Sequence, residues 1–134
     1  MGESLGMTDA KAKVERRKHK RFRVQEGAFV ILKPCDTGAG RLVNISMSGL
    51  MFEYVATKEP SIQATELELF VTDSVFRLYG VPCKSVWDLP VYKHPTMPLQ
   101  KRQSGVQFGE LTSHQRSQLE FFIQNHTSDF NDQI

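Results

Sequence analysis

Arg41-Leu42-Val43-Asn44-Ile45-Ser46-Met47-Ser48-Gly49-Leu50-Met51-Phe52-Glu53-Tyr54-Val55 reads as two strands joined by a short polar corner. Arg41–Ile45 is rich in β-formers, and Leu50, Phe52 and Tyr54 fall on one face of the second run. Between them, Ser46-Met47-Ser48-Gly49 combines two hydroxyls with a glycine suited to positive φ. A turn this tight between two amphipathic runs places the chain among the antiparallel β proteins.

The flanks extend that pattern. Upstream, Phe22-Arg23-Val24-Gln25 alternates and runs into Ala28–Leu32, so one long strand with a bulge or bend at Gly27 is expected, ended by Pro34 and a turn at Thr37–Gly40. Downstream, Glu66–Val71 alternates, with Leu67, Leu69 and Val71 inward and two glutamates outward. Thr72-Asp73-Ser74 then turns into Val75–Val81. Pro82 implies an edge or bulge, Lys84–Trp87 continues the strand, and Leu89–Gln100, with three prolines, reads as a loop. Arg102–Phe108 is the last strand. Thr112-Ser113-His114-Gln115 has the form of a capping box, and Leu119, Phe122 and Ile123 make an apolar stripe on a helix ending near Asn125. The sum is a small six-stranded antiparallel β-barrel, of split-barrel type, with a C-terminal helix packed on it. The expected organisation is a flexible arm over residues 1–14, a domain over 15–126 and a loose tail over 127–134.

The 134 residues suit one domain, and an apolar content of 40% with 24% charged residues is that of a soluble globular chain. No apolar run is long enough to cross a bilayer, so no membrane insertion is expected. The polar N-terminus has no apolar segment after its charges, and Gly6 stands where a myristoylation motif needs Ser or Thr. Cys35 and Cys83 are far apart, and reduced thiols in the cytoplasm are the expectation. The four histidines show no metal-ligand spacing. No phosphate loop, nucleophile elbow or carboxylate pair appears, so no enzyme is expected.

Charge is the strongest asymmetry. Residues 11–23 carry eight Lys or Arg and one acid, a local +7, while the chain is +2 overall and the remainder therefore −5. Such a concentration favours an anionic partner. Four of the cations are Arg16, Arg17, Arg21 and Arg23, whose planar forks match phosphates and guanine edges.

Two short patterns then stand in order: Arg17-x-x-x-Arg21, preceded by Arg16, and Asn44-x-Ser46-x-x-Gly49. Each is common alone. Together, with a strand between them and Gly105–Phe108 plus a terminal helix after them, they resemble the PilZ domain, the bacterial receptor module for cyclic di-GMP. The resemblance spans roughly Glu15 to Gln124. It implies a six-stranded barrel and a cyclic di-GMP site made by Arg16, Arg17, Arg21, Asn44, Ser46 and Gly49, with Trp87 as a further aromatic beside the ligand or as part of the barrel wall. Asn44 stands where many members carry Asp. By the same resemblance, Arg16 implies two mutually intercalated ligand molecules. His19 reads as a spacer within the motif and Phe22 as a core anchor for the first strand.

The implied function is that of a stand-alone, monomeric adaptor without a cofactor. Its arm would order over the barrel on ligand binding and signal to a separate protein, with motility or biofilm output. Two alternatives remain at this point. One is a barrel that binds nucleic acid through its basic arm, although Phe29, Phe52 and Phe70 sit at core-like spacing. The other is a PilZ-like interaction module that binds no ligand.

Overall fold

The computed structural model describes residues 20–34, 38–57 and 64–129. Eight strands and one helix follow in the order β1 (Phe22–Val24), β2 (Ala28–Lys33), β3 (Ala39–Ile45), β4 (Gly49–Ala56), β5 (Glu66–Val71), β6 (Arg77–Lys93), β7 (Gln100–Phe108), α1 (Ser113–His126) and β8 (Thr127–Asp129). The sheet runs β2-β5-β6-β7-β4-β3, and an antiparallel pairing of β2 with β3 closes it into a six-stranded barrel. β1 pairs with the C-terminal end of β3 at Asn44 and Ile45, and β8 pairs with β1.

Alternation builds the core. Ala28, Val30 and Leu32 of β2, Leu42 of β3, Leu50, Phe52 and Tyr54 of β4 and Leu67 and Leu69 of β5 point inward and are buried. The helix closes one end. Thr112 caps it by accepting from Gln115 N at 3.0 Å while Gln115 Oε1 accepts from Thr112 N, the reciprocal pair expected from the sequence. Leu119 and Phe122 are sealed against the barrel, and the Phe76 ring lies 5.4 Å from that of Phe122. Burying a ring of this size stabilises the fold by about 1.5–3 kcal/mol. Gln115 Nε2 donates to Tyr79 O and Gly80 O at 3.0 and 3.1 Å, which fixes the helix on the start of β6.

Several expectations are corrected. The first strand is two strands: Gly27, at φ +97°, breaks it. β1 then pairs with Asn44 and Ile45, whereas β2 pairs with residues 39–41 and with β5. The region from Leu89 is not a loop until His94, because β6 runs 17 residues through both Pro82 and Pro90. Beyond Pro82 its β5 side is vacated, so β6 becomes an edge strand, and Pro90 borders a register shift between Pro90 and Tyr92. An edge and a bulge are where proline costs a strand little. The supposed tail starts as strand, since Thr127, Ser128 and Asp129 pair with Val24, Arg23 and Phe22. Phe52 is a core residue, but Phe29 and Phe70 lie on the outer face, half-buried and stacked at 5.8 Å. Phe22 is half-buried, with Lys20 Nζ 5.7 Å from its ring centroid. Glu68 points outward as expected, yet it is only 7% exposed, bound by Arg77 at 2.7 Å and by Lys33 at 3.5 Å.

Where β6 leaves β5, a polar network holds the sheet. Arg102 Nε donates to Asp88 Oδ1 at 2.6 Å, Tyr54 Oη donates to Asp88 Oδ2 at 2.5 Å, and Arg102 Nη1 donates to Gln100 Oε1 at 2.5 Å. Arg102 and Tyr54 are each 4% exposed. Burial, and then the Asp88 carboxylate, push the Tyr54 phenol well above the ordinary tyrosine range, so it stays a donor.

Candidate functional site

The polar corner forms as the sequence suggests, and its hydroxyls are spent on shaping it. Ser46 N donates to Gly49 O at 2.8 Å, Ser48 N donates to Ser46 Oγ at 3.1 Å, and the two hydroxyl oxygens stand 3.1 Å apart. Ser48 O accepts from Phe108 N at 2.9 Å, which ties the corner to β7. Gly49 is required for a reason other than the expected positive φ, since it is not among the residues in that region. A Cβ there would stand 2.3 Å from Val106 O, so only glycine lets β4 lie this close to β7.

Register shows what the corner faces. The inward row passes through Ile45, Leu50, Val106 and Ser85. The next row lies on the outside and passes through Arg23, Asn44, Met51, Gly105 and Trp87. Asn44 reaches that outer row because the β3–β4 register shifts between Leu42 and Asn44. Without the bulge, alternation from inward Leu42 would turn Asn44 into the barrel. Asn44 is 6% exposed, and no hydrogen bond to its carboxamide comes from the described residues. Buried amides are normally satisfied, and this one can still both donate and accept a hydrogen bond.

On this outer face lies a cavity of about 260 Å³, lined by Arg21, the Ser46–Ser48 corner, Gly49, Met51, Val86, Trp87, Gly105 and Gln107. Trp87 is half-buried, and its indole lies across Gly105, where a Cβ would be 2.3 Å from Nε1. It therefore forms a wall of the cavity and is not packed inside the barrel. Arg21 stands two residues before Arg23, just ahead of β1, and borders the cavity. Arg21, Ser46, Gly49 and Trp87 thus meet in one place, with Asn44 in the row beside them. Arg16, Arg17 and His19 lie outside the described residues, as does Cys35.

Ser48 of the corner also lines the cavity, as do Met51, Val86, Gly105 and Gln107, none of which the sequence singled out as a site residue. They arrive through β4–β7–β6 register, with Val86 pushed out at the shift between Ser85 and Trp87. One row further along the outer face, Glu53 accepts from Arg41 at 2.6 Å and from Gln103 at 2.8 Å, with Lys101 at 3.4 Å. Burial raises its pKa, but the Gln103 and Arg41 hydrogen bonds and the two cations outweigh this and leave the carboxyl below its ordinary value.

A second cavity, of about 340 Å³, is lined by Thr65, Pro82, Cys83, Lys84, Gln107, Phe108 and Gly109. Burial, with Glu66 nearby, pushes the Cys83 thiol up to about 11, so it stays protonated and unreactive. Among the described residues no three His, Cys, Asp or Glu side chains come together to hold a metal ion, and no helix is long and apolar enough to cross a membrane.

The arrangement suits a flat, anionic ligand. An arginine and a tryptophan border an open, small-residue floor, beside an amide that can both donate and accept. Comparison with known proteins bears on the fold and the family. The fold is similar to a solved structure described as the PilZ domain with c-di-GMP of YcgR from Escherichia coli, with a TM-score of 0.60 and 14% identity over 83% of this chain and 91% of that one. Among curated proteins no match is found. The PilZ domain family matches residues 15–125. On that match, which takes in both motifs, the barrel and the helix, the chain belongs to the PilZ domain family.

Proposed function

We propose that the outer-face cavity is part of a cyclic di-GMP site and that the protein is a receptor for this nucleotide, not a catalyst. One observation carries the reading: Arg21 of the first motif and Ser46 and Gly49 of the second, distant in sequence, line the same cavity, with Trp87 opposite. The same nucleotide accompanies the YcgR domain of similar fold. Cyclic di-GMP offers two phosphates, guanine O6 and N7 acceptors and flat rings. Arg17 and Arg21 take guanine edges and phosphate by bidentate bonds, Asn44 pairs with a base edge, and Trp87 offers a face for stacking. Ser46 holds the corner and Gly49 keeps it close to β7.

The cavity is smaller than the roughly 300–1,000 Å³ sites that enclose drug-sized ligands, so it holds part of the nucleotide. The basic arm supplies the remainder and orders over the barrel as it does so, an order–disorder switch that presents a new surface to a protein partner in the cytoplasm. Arg16 adds a second, intercalated ligand. Isothermal titration tests this reading. Two nucleotides per chain are expected. A single event at one per chain removes the intercalated pair, and no heat at all removes the receptor.

A further inference from the structure

Six of the nine large apolar side chains that stand exposed among the described residues lie on one ribbon: Val55 at the end of β4, and Val86, Leu89, Val91, Tyr92 and Met97 on β6 and its following loop. The nucleotide cavity explains only Val86 and the neighbouring Trp87. Register places Val55, Lys101 and Tyr92 side by side on the outer face, with Val91 at the adjoining bulge and Met97 at the tip. The tip is braced, because His94 Nδ1 accepts from Thr96 N at 3.2 Å and Met97 N at 3.1 Å, and His94 N donates to Leu99 O at 2.8 Å.

The exposed charge on the ribbon is cationic. Between residues 84 and 102 the one acid is Asp88, which is held by Arg102. Lys93 and Lys101 are exposed beside the apolar groups, Lys101 also lying 3.4 Å from Glu53. Tyrosine with valine and methionine, rimmed by lysines, matches an anionic bilayer surface. There a tyrosine ring settles at headgroup depth, and lysine stems lie along apolar surface with their ammonium groups on phosphate. The apolar groups occupy the outer face, a bulge and the tip of a ribbon, not one flat patch. That shape enters a soft interface better than it mates with a rigid protein. The cationic run at 11–23, at +7, is a second signal of the same kind.

We propose that the tip of the β6–β7 ribbon, with Val55, Val91, Tyr92 and Met97 between Lys93 and Lys101, docks on the surface of an anionic phospholipid bilayer. The test is co-sedimentation of the full chain, without nucleotide, with vesicles of roughly seven phosphatidylcholine to three phosphatidylglycerol, against phosphatidylcholine alone. Binding is expected to the first and not the second. The double substitution Tyr92→Ser/Met97→Ser should lower partitioning at least tenfold, and Lys93→Gln or Lys101→Gln about fivefold each. Val75→Ser, at a fully exposed apolar site before the opposite end of β6, should leave it unchanged.

Thermal melting shows that each variant folds, and nucleotide titration of each keeps this question separate from the receptor reading. Full vesicle binding by the Tyr92/Met97 variant would overturn the proposal by assigning binding to the basic arm. Indifference of the parent chain to anionic vesicles would overturn it as well and leave the ribbon to a protein partner.

Discussion

Replacing Arg17 and Arg21 together by alanine is expected to reduce cyclic di-GMP affinity by a factor of roughly 10² to 10⁴ while the melting temperature moves by no more than about 2 °C. Each arginine is expected to make charge-assisted bonds worth roughly 1.5–3 kcal/mol to the nucleotide, and the two contributions would multiply in the binding constant. Little loss of stability is expected, because Arg21 stands ahead of β1 and outside the core, and a substitution outside the core moves stability by about 0.5 kcal/mol. Lysine at both positions should fall between parent and alanine, because it restores charge without the planar fork. Calorimetry with melting curves on the same samples checks both halves. Unchanged affinity would remove these arginines from the site.

The second large effect concerns folding. Arg102→Ala is expected to destabilise the protein by about 3 kcal/mol and to lower the melting temperature by on the order of 10 °C. The substitution takes the cation from the Asp88 carboxylate and leaves it the Tyr54 hydroxyl, and a buried charge without its counter-ion costs far more than the intact pair contributes. The figure is kept at the low end because the Asp88 side chain retains 18% exposure. Replacing three of the network's four members at once, as Tyr54→Phe, Asp88→Leu and Arg102→Met, should cost much less than Arg102→Ala alone. Melting curves on both variants settle the comparison, and an Arg102→Ala protein that melts with the parent would contradict it.

Tyr54 adds a pH dependence with a defined sign. Its folded pKa is raised, so its contribution to stability is complete below the ordinary tyrosine value near 10 and is lost as pH climbs above it. Tyr54→Phe should flatten that alkaline decline.

Much of this was legible in the sequence, for identifiable reasons. Residues 41–45 and 50–55 alternate about a polar corner, and Thr112 with Gln115 is a local reciprocal cap, so each carries its signal within a few residues. The extent of β6 was not legible, because Pro90 reads as a breaker unless the neighbouring strand is known to have left. Gly27 signalled a bend, but its consequence, two strands with different partners, depends on tertiary pairing.

The site divides in the same way. Arg21, Asn44, Ser46 and Gly49 were visible as motif residues, whereas Met51, Gly105 and Gln107 reach the cavity through cross-strand register that no local pattern encodes. Asn44 sits on the cavity's face because of the β3 bulge. Gly49 was read as a turn glycine, but close contact with Val106 O requires a glycine there, and turn geometry does not.

The central claim is that the nucleotide binds on the outer face where Arg21 and the Ser46–Gly49 corner meet. Trp87 is the chain's one tryptophan and a wall of that cavity, so its fluorescence reports occupancy directly. Titration with cyclic di-GMP should change Trp87 emission saturably, over the same concentrations that release heat in calorimetry, and Arg21→Ala should shift both curves together. Calorimetric binding with silent Trp87 emission would place the ligand elsewhere on the barrel and contradict the account.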